Sequence, residues 1–199
     1  MAVLLPSLPA SSAEEVLPHK TWTREELLLI ETTGVFEGTH YELIDGELID
    51  KMGKKRPHSI AGRATVYALE EAFGRNYVEQ ESSIDVAPQD NPRNEPEPDV
   101  VVLRQLSGEI RSNPAPSDIA LVVEVSDTTL RQDLTTKARL YARAGIADYW
   151  VLDIQHRLLH VLRQPAGDMY LQHLQLRDDE SVSPLERPDS LIRVSSLLG

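Results

Sequence analysis

The segment from Asp118 to Asp153 constrains the fold more than any other part of the 199-residue sequence. It begins with a continuous apolar run over residues 119–123, and its last residues, 148–153, carry a second apolar run over 149–152. Between the two runs, spacings of four, three and four residues separate Leu130, Leu134, Lys137 and Tyr141. These spacings predict one face of a helix that ends at Gly145. Continuous apolar strands are typical of sheets covered on both faces, so the segment predicts a strand–helix–strand unit in an α/β sheet.

Two charged residues interrupt this apolar pattern. Glu124 follows the first strand directly, and Lys137 lies on the apolar face of the helix. Burying an unpaired carboxylate or ammonium group is costly, so such groups are usually paired or bound to a metal. The simplest explanation is a structural Glu124–Lys137 ion pair, or a lysine that reaches solvent at the helix edge. A functional site is the alternative, and the choice depends on a second carboxylate.

Asp99 supplies that second carboxylate. It follows Pro98, which disfavours helix in the preceding residue, and it begins a further apolar run over residues 99–103. If residues 99–103 pair antiparallel with residues 120–124, Asp99 lies opposite Glu124. Two carboxylates can hold a hard divalent cation, and a lysine can orient water or stabilise a developing oxyanion. The three residues together predict metal-assisted hydrolysis at a strand end.

The same residues resemble a known protein family. The sequences around Pro98-Asp99, Glu124-Val-Ser126 and Lys137 to Asp153 are similar to the Uma2 family, a branch of the PD-(D/E)xK nuclease superfamily. The resemblance extends upstream to the Tyr41–Glu47 segment and His58, and it covers residues 22–161. The usual E-x-K motif is broken, because Val125 and Ser126 follow Glu124. In the Uma2 family the lysine lies on the next helix, a position that Lys137 satisfies.

The resemblance implies a fold, an activity and a set of site residues. The fold is restriction-endonuclease-like: a mixed α/β sheet with a central antiparallel meander and flanking helices. The activity is metal-dependent hydrolysis of phosphodiester bonds, with nucleic acid, and DNA in particular, as the expected substrate. Asp99, Glu124 and Lys137 would be catalytic, and the two carboxylates would bind Mg²⁺ or Mn²⁺. Glu42 or Glu47 would add an auxiliary ligand, with Glu47 favoured, and a homodimer is an expected assembly.

The charge of the chain weighs against nucleic-acid binding. Its formal net charge is −12, whereas proteins that bind nucleic acid are typically basic. A basic stretch at Lys54, Lys55 and Arg56 precedes a predicted helix start and forms a candidate phosphate contact. A solvated surface loop is the ordinary alternative for this stretch. The acidity and the displaced lysine also favour a second function, a nuclease-fold binding or regulatory module without appreciable activity.

The remaining segments predict one domain over residues 19–199, preceded by a disordered arm at residues 1–18. Thr23 and Glu26 predict a capping box, and Asp45-Gly46 predicts a hairpin turn. Residues 58–73 predict a helix, residues 76–86, 157–162 and 170–176 predict strands, and residues 191–194 predict a strand that closes the sheet.

Composition narrows the expected location. The chain has no cysteine, which excludes disulfides and thiolate metal sites and agrees with a cytoplasmic location. No segment approaches the roughly 18 uninterrupted apolar residues of a membrane span. The N-terminal apolar run lacks the preceding basic residues of a signal peptide. We therefore expect a cytoplasmic protein with no membrane association.

Overall fold

The structure is a computed structural model that describes residues 19–51 and 53–199, so the predicted arm at residues 1–18 lies outside the described residues. The helices are α1 (Arg24–Glu31), α2 (Arg56–Phe73), α3 (Leu130–Gln132), α4 (Ala138–Arg143) and α5 (Val194–Leu198), and a π-helical turn (Asp133–Lys137) joins α3 to α4. Within the described ranges, no helix is long and apolar enough to cross a membrane.

The strands form one large sheet and two small ones. They are β1 (Tyr41–Ile44), β2 (Glu47–Asp50), β3 (Val78–Gln80), β4 (Val100–Leu103), β5 (Ile119–Ser126), β6 (Asp148–Asp153), β7 (Leu158–Ala166), β8 (Met169–Arg177), β9 (Ser181–Val182) and β10 (Ile192–Arg193). The large sheet has the order β3-β4-β5-β6-β7-β8. All its neighbours are antiparallel except β5 and β6, which are parallel and are connected through α3, the π-helical turn and α4. The predicted mixed α/β sheet with one helical crossover is confirmed.

Two apolar clusters cover the faces of this sheet. The α2 cluster includes Leu69 and Phe73 of α2 and Leu197 of α5, packed with Trp150 and the apolar side chains on one face of β4–β7. The α4 cluster includes Leu140, Tyr141 and Ile146, packed against the opposite face. Burial on both faces explains why the central strands are apolar without alternation.

β5 crosses the middle of the sheet and is buried along its whole length. Its side chains Val123 and Val125 belong to the α2 cluster, and Val122 belongs to the α4 cluster. Because successive side chains of a strand point to opposite faces, Glu124 points to the same side as Val122, towards α4. The fold therefore directs this carboxylate at the crossover helix.

The N-terminal segment packs beside this sheet through predicted local motifs. The capping box is confirmed, since Thr23 accepts from the Glu26 amide and Glu26 accepts from the Thr23 amide. The hairpin turn is also confirmed: Asp45 and Gly46 have positive φ angles of 50° and 82°. A Cβ on Gly46 would lie 2.8 Å from the Cβ of Thr21, so only glycine fits at this position. The hairpin pairs with the segment before β4 through Leu43 and Glu95.

Three predicted boundaries are wrong. The strand expected over residues 76–86 is reduced to β3, because Glu81 has a left-handed φ of 52° that turns the chain out of the sheet. α2 begins at Arg56 rather than at residue 58, since Pro57 is suited to a first helical turn. Residues 191–194 do not close the large sheet: β10 pairs with β9, and Val194 begins α5.

Candidate active site

The pairing of β4 with β5 brings Asp99 beside Glu124. Val100 pairs with Val123 in this antiparallel register, so the next pair outward is Asp99 with Glu124. Asp99 is anchored there because its Oδ2 accepts a hydrogen bond of 2.8 Å from the Val125 amide. Both carboxylates are almost fully buried, with 5% and 3% of their surface exposed. The predicted strand pairing and its connection are confirmed.

Lys137 reaches the same place from the crossover helix. Its Nζ lies 3.0 Å from Glu124 Oε1 and 2.9 Å from Glu42 Oε1, and the residue is buried. Lys137 ends the π-helical turn, in which each backbone hydrogen bond encloses one more residue than in an α-helix. Such turns are frequent at functional sites because they change the direction of a side chain within a helix. Glu124 and Lys137 are therefore in direct contact.

The auxiliary carboxylate in this position is Glu42, where the sequence favoured Glu47. Glu42 is buried in β1, and its Oε2 accepts from the Glu97 amide at 3.1 Å. Glu47 is exposed at the start of β2 and does not line the cleft around Lys137. The preference for Glu47 is corrected, because the pairing of β1 with the segment before β4 directs Glu42 towards Lys137.

Two further side chains complete the surroundings of Glu124. The Tyr141 hydroxyl, one helical turn after Lys137, donates a hydrogen bond of 2.8 Å to Glu124 Oε1. Asp133, four residues before Lys137, is buried and accepts a hydrogen bond of 2.6 Å from Thr129. The sequence placed Tyr141 in the core and did not single out Asp133. The i, i+4 spacing of Asp133 and Lys137 was the signal that could have identified it.

A cleft of about 180 Å³ opens over these residues. The charged and titratable side chains that line it are Glu42, Asp50, Lys51, Lys54, Lys55, His58, Asp99, Glu124, Asp127, Asp133 and Lys137. The three residues predicted to be catalytic thus lie in one cleft, although they come from different parts of the chain.

Cations surround Asp99 at the other side of the cleft. Lys54 Nζ lies 2.9 Å from Asp99 Oδ1 and 2.8 Å from Glu81 Oε1, so it bridges a buried and a partly exposed carboxylate. His58 Nε2 lies 3.2 Å from Asp99 Oδ2. Burial alone raises the pKa of Asp99, but His58, Lys51 and Lys54 together hold it well below its usual range. Asp99 is therefore an ionised carboxylate.

The pKa of Glu124 shifts in the opposite direction, upward. Burial raises the pKa of its carboxyl to about 8, and the nearby carboxylates Asp133, Asp99 and Glu42 add to the rise while Lys137 opposes it. For Lys137, burial lowers the pKa, but Glu124, Glu42 and Asp133 outweigh burial and raise it above the ordinary value. Lys137 is thus a charged ammonium group beside three acidic side chains.

The predicted basic stretch divides between the cleft and the surface. Lys54 and Lys55 line the cleft, with Lys55 as the N-cap residue of α2. Arg56 is exposed and does not line it. Lys51 and His58, to which the sequence assigned no role, also line the cleft. Lys51 donates to the Glu97 carbonyl, so it is held at the cleft wall.

Comparison with known proteins agrees with this geometry. The model of the Uma2 family, described as "Putative restriction endonuclease", matches residues 24–192. The chain belongs to the Uma2 family. The predicted resemblance to this family is therefore confirmed, and the match extends beyond residue 161 to β10. A search of curated proteins found no match.

A solved structure has the same fold as this Uma2 chain. It is a "putative nuclease belonging to DUF820" from Anabaena variabilis, with a TM-score of 0.58 and 15% sequence identity. The similarity covers 79% of this chain and 89% of the other. At this identity the comparison supports the fold alone, and it agrees with the six-stranded mixed sheet and its flanking helices.

The donor set of the Uma2 cleft suits a hard divalent cation. Six acidic side chains and four lysines line it, a formal excess of two negative charges when every acid is counted as ionised and histidine as neutral. Carboxylate oxygens are the ligands that Mg²⁺ and Mn²⁺ prefer. In the described part of the chain, no group of three or more His, Asp or Glu side chains forms a ready-made metal site. Lys54 and Lys137 bond to the carboxylate oxygens instead, so an ion would replace ammonium contacts.

Proposed function

We propose that this Uma2 protein is a metal-dependent endonuclease that hydrolyses phosphodiester bonds in nucleic acid, with DNA as its substrate. One observation carries the proposal: Asp99, Glu124 and Lys137 converge in a single cleft that has an excess of negative charge. Membership of a family described as restriction endonucleases supports it independently. A cytoplasmic location belongs to the same proposal and is supported by the absence of cysteine.

Asp99 and Glu124 would hold Mg²⁺ or Mn²⁺, with Glu42 as the auxiliary ligand. When bound, such an ion polarises the scissile phosphate and lowers the pKa of a bound water molecule. Asp99 is suited to this role because its carboxylate is ionised and fixed by the Val125 amide. Glu42 is fixed in the same way by the Glu97 amide. Two backbone anchors therefore orient the carboxylates before any ligand arrives.

Lys137 would stabilise charge on the phosphate or orient the attacking water. Glu124 and Glu42 hold its ammonium group from two different strands. An ammonium group has three N–H donors, so these two contacts leave one donor for water or a phosphate oxygen. Tyr141 is a positioning residue, because its hydroxyl fixes the Glu124 oxygen to which Lys137 is bonded.

Lys54 and Lys55 would bind phosphates at the cleft. Lys54 bonds to Asp99 and Glu81, so a ligand bound at Asp99 would release it towards the substrate. Lys55 is exposed at the N-terminus of α2, where the helix dipole also favours an anion. Arg56 belongs to the original phosphate-binding prediction, but it lies outside the cleft lining.

A second candidate function is a nuclease-fold binding or regulatory module without appreciable activity. The internal contacts favour it, since Lys54 and Lys137 already neutralise oxygens that a metal would need. The net charge of −12 favours a regulatory module as well, because it opposes the binding of nucleic acid as a substrate outside the basic stretch. Binding without cleavage would distinguish this module from the enzyme.

The decisive experiment measures cleavage of plasmid, linear duplex, single-stranded DNA and RNA with Mg²⁺, Mn²⁺ or a chelator. We expect cleavage of DNA that requires the divalent ion. Asp99→Asn and Lys137→Met should abolish it. Glu42→Gln and Glu47→Gln form a matched pair from one hairpin: the first should reduce cleavage, and the second should leave it unchanged because Glu47 is exposed outside the cleft.

The outcomes separate the candidate functions. Cleavage that survives the chelator, or that Asp99→Asn leaves intact, would contradict the proposal. Metal and nucleic-acid binding without cleavage would support the binding module. If neither metal nor nucleic acid binds, the Glu124–Lys137 pair is structural.

A further inference from the structure

The solvent face of α2 carries cations that no acid neutralises. The N-terminal end of this 18-residue helix lies at the cleft, because the N-cap residue Lys55 and His58 line it. On the outer face of the helix, Arg56 and Arg63 are exposed. In the part of the chain that the structure describes, neither guanidinium group forms an ion pair or a hydrogen bond. The helix therefore presents two free positive charges next to the candidate active site.

Free cations stand out in a chain with 32 acidic and 20 basic residues. Elsewhere even well-exposed bases find an acid: Arg104 lies 2.7 Å from Glu186, and Arg157 lies 2.8 Å from Asp178. Residues 51–69, in contrast, contain no Asp or Glu, and α2 carries acids only in its last turn. This face of α2 is thus complementary to phosphate, although the net charge of the chain is −12.

The helical spacing aligns these cations with an exposed aromatic ring. Seven residues separate Arg56 from Arg63, and four separate Arg63 from Tyr67, so all three lie on one side of the helix. Tyr67 is 61% exposed, and within the described ranges it has no hydrogen-bond or ring partner. At 1.5 Å per residue the three side chains span about 17 Å along the helix, roughly five nucleotides at the 3.4 Å rise of one DNA strand. We call these three residues the α2 strip.

The α2 strip fits a single strand better than a duplex. Arginine neutralises phosphate, and an exposed aromatic ring stacks on bases that are unpaired. A strand on this face must also turn into the cleft at the end of the helix, where Asp99 and Glu124 are buried. Duplex DNA has a persistence length of about 150 base pairs and resists a turn within a few nucleotides. A single strand makes such a turn at little cost.

We propose that the α2 strip binds a single-stranded segment of the DNA substrate and leads it to the cleft. This role rests on the proposed function and adds to it the form of the substrate, which has unpaired nucleotides on one side of the scissile phosphate. Arg63 and Tyr67 bind the strand and take no part in the chemistry, because they lie about two and three helical turns beyond Arg56 at the start of α2.

The first test measures binding by fluorescence anisotropy, with a chelator present so that metal-dependent cleavage does not occur. The probes are a short single-stranded oligonucleotide and a duplex of the same length, and we expect tighter binding of the single strand. Arg63→Gln should lower the slope of its salt dependence by about 0.7, the value of one contact to a single strand. Arg177→Gln is the matched control: Arg177 is exposed on β8, at the opposite edge of the sheet from β3, and it should leave the slope unchanged.

The second test examines stacking. Tyr67→Ala should weaken single-strand binding by about tenfold, because it removes the ring on which a base stacks. Tyr67→Phe keeps the ring and should bind the single strand as the wild type does. Neither substitution should change duplex binding. In the cleavage assay, Arg63→Gln should raise KM for a single-stranded substrate by a larger factor than it lowers kcat.

The outcomes separate the α2 strip from the proposed function. Equal salt slopes in Arg63→Gln and Arg177→Gln would overturn the strip, because they would indicate diffuse charge. So would tighter binding of the duplex, or a Tyr67→Ala variant that binds the single strand as tightly as Tyr67→Phe. Binding as expected without cleavage in Mg²⁺ or Mn²⁺ would support the strip and contradict the endonuclease.

Discussion

Two buried ion pairs of this protein have similar chemistry and different surroundings. Asp148 and Arg163 form one pair, between β6 and β7, and Asp148 has no exposed surface. Asp148 Oδ1 accepts from Trp150 Nε1 and Arg163 Nε, each at 2.8 Å. Its Oδ2 accepts from Arg163 Nη2 and from the Leu185 amide. Every oxygen of this carboxylate is satisfied within the protein.

The Glu124–Lys137 pair is not balanced in this way. Both hydrogen bonds to Glu124 from Lys137 and Tyr141 use the same oxygen, Oε1. Lys137 is shared between two carboxylates, with Asp133 as a further acidic neighbour. The pair also lines a cleft, which Asp148 and Arg163 do not.

The difference shows how to separate a structural ion pair from a functional one. Burial and distance alone do not distinguish the two pairs, because both are buried and both have contacts of about 3 Å or less. The number of hydrogen-bond donors around each carboxylate distinguishes the two pairs. A carboxylate with two donors on each oxygen stabilises the fold, whereas competing carboxylates around one lysine are costly without a further cation.

The largest expected effect is on stability, at the balanced pair. Asp148→Ala leaves the partly buried Arg163 without its bidentate partner and Trp150 Nε1 without its acceptor, and it should lower the free energy of unfolding by about 3–5 kcal/mol. Urea denaturation measures this change. Glu124→Gln should change it by less than about 1 kcal/mol, because it keeps an acceptor for Tyr141 and removes repulsion from nearby carboxylates. Equal losses in the two variants would remove the distinction between the pairs.

The next effect is on cleavage, at the unbalanced pair. Glu124→Gln should reduce the cleavage rate by about 100-fold or more, equivalent to about 2.7 kcal/mol in the activation barrier. The measurement is a single-turnover rate on the DNA substrate that wild-type protein cleaves best. Asp148→Asn, assayed at a temperature where it is folded, should retain the wild-type rate. A large loss in Asp148→Asn would mean that the structural pair also supports the chemistry.

The third effect, smaller than the changes expected for Asp148→Ala and Glu124→Gln, is the stabilisation of the protein by metal binding. At tenfold excess over its Kd, Mg²⁺ should add about 1.4 kcal/mol. For a chain of this size, that raises Tm by about 3–5 °C. Asp99→Asn should abolish this shift in thermal unfolding, because it removes one ionised ligand. Asp148→Asn should melt at a lower temperature but keep the full shift. A shift that persists in Asp99→Asn would exclude Asp99 as a ligand.

The smallest effect concerns phosphate contacts. Replacing Lys54 and Lys55 by Ala should reduce the salt dependence of duplex binding by up to two contacts, each worth about 0.9 in the slope. Arg56→Ala should change the slope less, since Arg56 does not line the cleft. Arg75→Ala is the control, because Arg75 is exposed at the far end of α2. Equal effects of all four residues would indicate diffuse charge rather than a phosphate site.

The main site residues could be predicted because local patterns encode them. Apolar runs located β4, β5 and β6, and the supposed antiparallel pairing of β4 with β5 is present in the structure across the connection of residues 104–118. Once these strands are paired, Asp99 and Glu124 must be neighbours. The helical spacing placed Lys137 on the inner face of the crossover, where it is buried.

The features that the sequence did not predict depend mainly on contacts between distant segments. Glu42 and Glu47 are equivalent in the hairpin sequence, and only the contact of Glu42 with the Glu97 amide, 55 residues away, distinguishes them. The end of β3 depends on the backbone of Glu81, whose left-handed conformation is not characteristic of glutamate. The π-helical turn has no local signal either, since its sequence is compatible with an ordinary α-helix.

The position of Lys137 has a consequence for finding related proteins. A pattern search that requires a lysine two residues after the glutamate would reject this chain, because Ser126 occupies that place. Ser126, the last residue of β5, instead faces Thr129 at 3.3 Å, so its side chain contacts the loop that leads into α3. The lysine is 13 residues from Glu124 along the chain and 3.0 Å from it in space. Searches for distant relatives should therefore compare the positions of charged atoms and leave the spacing along the sequence free.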